Sequence, residues 1–109
     1  MVINANFGAN PNEVVGDYGL LSLAAKLGND ESNTLLVEAG ARHDVGNIPP
    51  LISCIKSGSR PVLMALIEKN PREILSVYEQ KTILEHAIIE KTTLLPLIAT
   101  VATGIPLGI

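Results

Sequence analysis

The chain has 109 residues, 47% of them hydrophobic and 17% charged, with a net charge of −3. This length allows one domain with a modest core, and the scarcity of aromatic residues favours aliphatic helices as its building blocks. The acidic balance and the scattered Lys and Arg argue against a nucleic-acid binder, which normally carries a basic patch. The single cysteine, Cys54, excludes an intrachain disulfide and a multi-cysteine zinc site.

The first part of the chain predicts a loop followed by two short helices. Residues 1–16 are rich in Asn and Gly and are expected to form the tail of a partial repeat unit. A β-turn at residues 16–19 then leads into a first full unit, at about residues 17–46. Its first helix ends at Gly28, and Asn29 or Asp30 caps a second helix that stops at Gly40.

A second unit is expected at about residues 47–79. Its first helix opens at Pro49-Pro50 and ends at Gly58, and Ser59 caps the next helix. We expect Asn70 to end that helix in a left-handed conformation. A longer connection over residues 71–80 then forms a helical turn or an extended arm.

The third unit, at about residues 80–109, opens with Thr82 and Glu85 in the spacing of a capping box. A last helix is predicted from Thr92 or Thr93 to about Ala102. Residues 94–109 contain no charge, but the stretch is short and broken by Pro and Gly, so we expect no membrane span. We expect it to pack on the core, with a self-association surface or the cut face of a longer array as the alternatives.

Self-similarity at a period near 33 residues is the mark of a repeat protein, and these units resemble the ankyrin repeat family. The likeness is carried by Leu21, Ala24-Ala25 and Gly28 in the first unit, by Pro50-Leu51 and Gly58 in the second, and by Thr82 and Ala87 in the third. His is missing from its usual place in every unit, and Lys91 replaces the turn Gly of the last. The resemblance implies an all-α, ankyrin-like α-solenoid of stacked helix–turn–helix units with β-turn or loop connections.

What the resemblance implies about function is protein–protein interaction through a concave surface made of turn tips and first helices. The predicted partner-binding residues are Tyr18, Lys26, Leu27, Ile48, Lys56, Ser57, Tyr78, Glu79, Lys81 and Glu90. Two alternatives stay open. In the first, the chain is a structural solenoid fragment that forms a homodimer through residues 94–109. In the second, it is a regulatory subunit that docks on an enzyme.

Residues with catalytic chemistry are few, and none forms a recognisable constellation. His43 is expected to be a solvated loop residue, His86 a half-exposed helix residue paired with Glu90, and Cys54 a packed thiol. We therefore expect no enzyme activity, no cofactor and no metal. The N-terminus lacks the basic and apolar regions of a signal peptide, so an intracellular location, cytoplasmic or in a host cytosol, is expected.

Overall fold

The computed structural model describes residues 10–104, so the predictions for residues 1–9 and 105–109 lie outside it. The described part of the chain is mostly helical, as predicted, and its helices come in three consecutive pairs. The first pair is α1 (Leu20–Leu27) and α2 (Asp30–Glu38), the second is α3 (Pro50–Ser57) and α4 (Arg60–Lys69), and the third is α5 (Ile83–Ile89) and α6 (Leu95–Gly104).

Two short antiparallel hairpins are added to the helices, so the all-α prediction was incomplete. Strands β1 (Val14–Val15) and β2 (Tyr18–Gly19) precede the first pair, and β3 (Val77–Tyr78) and β4 (Lys81–Thr82) precede the third. A 3-10 helix, Pro71–Leu75, connects α4 to β3. Residues 71–80 were predicted to form a helical turn or an extended arm, and this connection contains both a helical turn and an extended strand.

The core lies between two layers of helices. The first helices α1, α3 and α5 lie side by side, while α2 packs on α4, and the 3-10 helix contacts α4, α5 and α6. Side chains that are almost completely buried join these elements: Leu21, Ala25, Leu51, Ile55, Leu63, Leu66, Ile74, Ile83, Ala87 and Ile98. All ten are aliphatic, as the composition predicted.

The turn between the two helices of each pair uses one left-handed residue. Gly28 has φ 65°, Gly58 has φ 73°, and Lys91 has φ 53°. Gly adopts this conformation at no steric cost, whereas a residue with a Cβ is strained there. The predicted glycine stops are therefore confirmed. Lys91 adopts the same backbone conformation although it is not a glycine.

Side-chain caps confirm three predicted helix starts. The side chain of Asn29 accepts a hydrogen bond from Ser32 N at 3.0 Å, and that of Ser59 accepts one from Val62 N at 3.5 Å. At α5, Glu85 N donates to Thr82 Oγ1 at 3.1 Å, and Thr82 N donates to Glu85 Oε1 at 2.9 Å. This reciprocal pair is the predicted capping box.

Helix α4 ends at Asn70 as predicted, but Asn70 does not have the predicted left-handed conformation, and the start of the last helix also differs from the prediction. Asn70 has φ −147° and ψ 80°, so it is not left-handed. The next residue is Pro71, whose ring excludes the helical region for its predecessor and favours an extended backbone. The last helix begins at Leu95, later than predicted, and runs to Gly104 with Pro96 in its first turn.

In the described range 10–104, none of the helices has the length and apolar character that a membrane crossing requires.

Candidate functional site

The turn tips of the first two helix pairs are joined by backbone hydrogen bonds. Asn47 N and Ile48 N both donate to the carbonyl of Asp17, at 2.9 and 3.1 Å, and Tyr18 forms an isolated β-bridge with Gly46. Asn47 Nδ2 also donates to Asp17 Oδ1 at 3.0 Å. Gly46 permits this close approach, since a Cβ at that position would lie 2.5 Å from Gly19 N.

Below the tips, a buried hydrogen bond joins the first helices of the same two pairs. Ser22 Oγ on α1 and Ser53 Oγ on α3 lie 2.6 Å apart, and both side chains are about 1% exposed. Each hydroxyl satisfies the other where water is excluded, which a buried polar group requires. The first and second pairs are thus joined at both the tip and the middle of the helices.

The second and third pairs are joined differently. Among the described residues, no backbone hydrogen bond connects the loop at residues 45–48 to the hairpin at residues 77–82. The contact lies at the far end of the helices, where the Thr92 hydroxyl donates to the Ile55 carbonyl at 2.9 Å. The spacing of the first helices differs as well, because the α3 cap, Pro49, and the α5 cap, Thr82, are 33 positions apart, against 30 for Gly19 and Pro49.

A cleft of about 200 Å³ lies between the second and third pairs. Its floor includes Ile52 and Ile55, which are 4% and 3% exposed, and its wall includes Ile89, which is 56% exposed. Polar side chains complete the lining: Lys56, Tyr78, Glu79, Lys81, His86 and Glu90. The cleft therefore combines an apolar floor with charges of both signs at its rim, a composition typical of protein interfaces.

Tyr78 and His86 organise the tip side of this cleft. His86 Nε2 lies 2.6 Å from the Tyr78 carbonyl oxygen, and the two rings are 5.6 Å apart. The helix-face pair with Glu90 that His86 could make is not observed among the described residues, and the imidazole instead bonds to the Tyr78 carbonyl. Burial, a hydrogen bond with Glu79 and the negative charges of Glu79 and Asp17 raise the pKa of Tyr78. Its hydroxyl thus stays protonated, with Glu79 as the acceptor of its hydrogen bond.

The hairpin before α5 carries unusual backbone angles. Glu79 and Gln80, the two central residues of its loop, have φ 49° and 67°. A two-residue loop with both central residues at positive φ is the type I′ turn, which normally contains Asn-Gly. Side chains with a Cβ are strained there, and such strain is concentrated at functional sites.

On the first pair, Tyr18 and Lys26 lie together. The Lys26 ammonium is 4.5 Å from the centroid of the Tyr18 ring, a cation–π contact. Leu27 is 70% exposed beside them. By contrast, Ile48 is half-buried against the core.

The structure thus places half of the predicted binding residues around one cleft. These five are Lys56, Tyr78, Glu79, Lys81 and Glu90. Ser57 lies in an adjoining depression that also contains Lys56 and Glu90, and its hydroxyl donates to the Cys54 carbonyl at 3.2 Å. Sequence reasoning missed Ile52, Ile55, His86 and Ile89. A signal for Ile89 was present, since it lies seven residues after its helix cap, as Lys26 and Lys56 do.

The remaining candidate chemical groups lie apart from the cleft or are inert. Burial raises the pKa of the Cys54 thiol to about 12, and Sγ donates to the Ser59 carbonyl at 3.3 Å, so the thiol is protonated and packed as predicted. His43 is less solvated than predicted, because both ring nitrogens are shielded from solvent and have no hydrogen-bond partner. Within residues 10–104, no three His, Cys, Asp or Glu side chains are grouped as metal ligands.

No protein-family model matches this chain, and no curated protein sequence is significantly similar to it.

Proposed function

We propose that the chain is an ankyrin-like stack that recognises another protein through the cleft between its second and third helix pairs. Three features support the ankyrin-like assignment. Each helix pair turns at one left-handed residue, hairpins precede the first and third pairs, and the first helices lie side by side. Arrays of this architecture use their extended concave surfaces for binding.

The observation that carries the recognition function is the exposure of Ile89 above a buried isoleucine floor. Ile89 is 56% exposed, Tyr78 is half-buried beside it, and Ile52 and Ile55 lie beneath. A partner side chain inserted here excludes water from apolar surface, which contributes about 25 cal/mol per Å² buried. The mixed charges at the rim favour orientation and specificity over raw affinity.

Site-specific photocrosslinking tests this function. A benzoylphenylalanine at position 56, on the rim of the cleft, should capture a partner from the native cell extract. The same group at position 69 is the matched control, because Lys69 is also an exposed lysine but lies on a groove between α2 and α4. Capture at position 69 with none at position 56 would place recognition on the opposite face.

Self-association through the last helix is a second candidate, favoured by the outer face of α6. The exposed Thr100 and Thr103 hydroxyls donate to the carbonyls of Pro96 and Ala99, at 2.9 Å each, so both donors are used within the helix. This outer face of α6 is uncharged and exposes mainly the methyl groups of the two threonines and the ring carbons of Pro96. Light scattering on Thr100→Glu tests this candidate: conversion of a dimer to a monomer supports it, and an unchanged mass contradicts it.

A further inference from the structure

The three first helices present one residue each, at the same helical position, along the stack. Lys26, Lys56 and Ile89 each lie seven residues after the N-cap of their helix, and all three side chains are exposed. We call these three residues the first-helix row. Because α1 and α3 pack together, as do α3 and α5, the row crosses the three helices in chain order.

The two lysines of the row are cations without a carboxylate partner. Among the described residues the only ion pair is Arg42 with Asp44, at 2.7 Å. The Lys26 ammonium lies over the Tyr18 ring, a contact that positions it without neutralising it. The row therefore presents two cations that no ion pair neutralises, on a chain with a net charge of −3.

The third position of the row has a different chemistry. Ile89 is apolar and lies above the isoleucine floor of the cleft, and Glu90 is next to it on the same wall. A partner carboxylate near Glu90 is repelled, whereas one near Lys26 or Lys56 is attracted. The row thus has a direction, with two cationic positions followed by an apolar one at which anions are disfavoured.

We propose that the first-helix row binds an extended acidic segment of the partner protein, and this inference rests on the proposed function. Packed helices lie about 8–10 Å apart, and a chain in the extended polyproline II conformation rises about 3.1 Å per residue and returns to the same face every three residues. Successive positions of the row are therefore spanned by three residues. The segment carries two acidic residues three apart, which meet Lys26 and Lys56, and an apolar residue three further along, which meets Ile89.

Fluorescence anisotropy with synthetic peptides tests this chemistry directly. The probes are labelled twelve-residue peptides in which two Glu residues are three positions apart and a Leu follows three positions later. A second peptide has the same residues in the reverse order. In the control peptides Gln replaces both Glu residues. Peptide in at least one direction should bind, and binding should weaken as salt is added because the charges are exposed. The Gln peptide should bind more weakly.

Charge reversal on the protein supplies the second arm. Lys56→Glu should weaken the affinity for the acidic peptide by about fivefold to tenfold, because attraction between the charges becomes repulsion. Lys69→Glu makes the same change of charge on another face and should leave the affinity unchanged. Ile89→Ser should weaken binding without altering its salt dependence. Circular dichroism establishes that each variant is folded.

Several results overturn the inference. These are no binding of either acidic peptide, equal affinity for the Gln peptide, equal loss in Lys56→Glu and Lys69→Glu, or tighter binding of a poly-thymidine oligonucleotide than of the peptides. The two proposals fail separately. If a partner is crosslinked at position 56 and the acidic peptide does not displace it, the acidic-segment proposal is wrong while the proposed recognition function stands.

Discussion

The junction between the first and second helix pairs differs from the junction between the second and third. At the first, the carbonyl of Asp17 accepts two backbone hydrogen bonds, and Ser22 meets Ser53 below. At the second, the Thr92 hydroxyl donates to the Ile55 carbonyl at the far end, and no backbone hydrogen bond joins the tips within residues 10–104. The first junction holds two helix pairs together by hydrogen bonds, and the second leaves the apolar side chain of Ile89 exposed to solvent.

The backbone shows the same contrast. The first and second pairs have glycine at the left-handed positions Gly16, Gly28, Gly46 and Gly58, whereas the third has Glu79 and Lys91 at the corresponding positions. The third pair is therefore strained as well as less firmly attached. We expect it to open first in local unfolding, because such opening begins where contacts are fewest.

The largest expected effect comes from the 3-10 helix that attaches the third pair. Ile74 is 2% exposed in this helix, which contacts α4, α5 and α6. Ile74→Ala should lower the free energy of unfolding by about 2–4 kcal/mol through lost burial and a cavity. Hydrogen exchange should then accelerate in α5 and α6 before α1 and α2.

Leu36→Ala is the matched control, since Leu36 is 1% exposed on α2 at the other end of the stack. It should accelerate exchange first in α1 and α2. If both variants accelerate exchange uniformly along the chain, the two junctions are equally strong and the comparison is wrong.

The serine pair tests the first junction. Ser22→Ala leaves the Ser53 hydroxyl buried without a partner, and this should cost about 1–3 kcal/mol of unfolding free energy. The double variant with Ser53→Ala should cost less than twice the single change, because no unpaired hydroxyl remains. Urea denaturation of the four proteins of the cycle measures this coupling, and strict additivity would show that the hydroxyls do not interact.

Replacing the strained residues of the third pair should stabilise it. Lys91→Gly removes a side chain from a backbone at φ 53° and should raise the free energy of unfolding by about 0.5–1 kcal/mol. Gly58→Ala makes the reverse change at φ 73° in the second pair and should destabilise. The comparison fails if the two substitutions shift the urea midpoint in the same direction.

The features that sequence predicted well depend on a few neighbouring residues. Caps at Asn29, Ser59 and Thr82 and the stops at Gly28 and Gly58 follow from local hydrogen bonding and backbone preference. The helix end at Asn70 was also predicted from local residues, but its left-handed conformation was not found, because the following Pro71 restricts its backbone.

The cleft was beyond sequence reasoning because it depends on how two helix pairs meet. The difference between the junctions follows from backbone hydrogen bonds that join Asp17 to residues 47–48 and that, among the described residues, do not join residues 45–48 to residues 77–82; the partners of such bonds are about 30 residues apart. Tyr78, Glu79 and Lys81 were found because they lie at a recognisable turn. Ile52 and Ile55 were assigned to the core, and the structure shows that core residues also form the cleft floor.

The smallest expected effect concerns the capping box, which offsets part of the strain in the third pair. No side chain caps α1 at Gly19 or α3 at Pro49, whereas α5 begins with Thr82 and Glu85. The hydrogen bond from Thr82 N holds the pKa of Glu85 below its ordinary value of 4.5 in the folded chain. A carboxylate with a lowered folded pKa stabilises above its unfolded pKa, and this contribution is lost as the pH falls through the folded pKa.

Glu85→Gln isolates this contribution, because the amide retains the shape and an acceptor oxygen but not the charge. The parent should have the higher urea midpoint at pH 7, and the difference should shrink at an acid pH below the lowered folded pKa of Glu85. Glu68→Gln on α4 changes the same charge away from the α5 cap and serves as the control. If the difference between parent and variant is the same at both pH values, Glu85 acts through its shape and not through its charge. The charge of Glu85 would then not offset the backbone strain of the third pair.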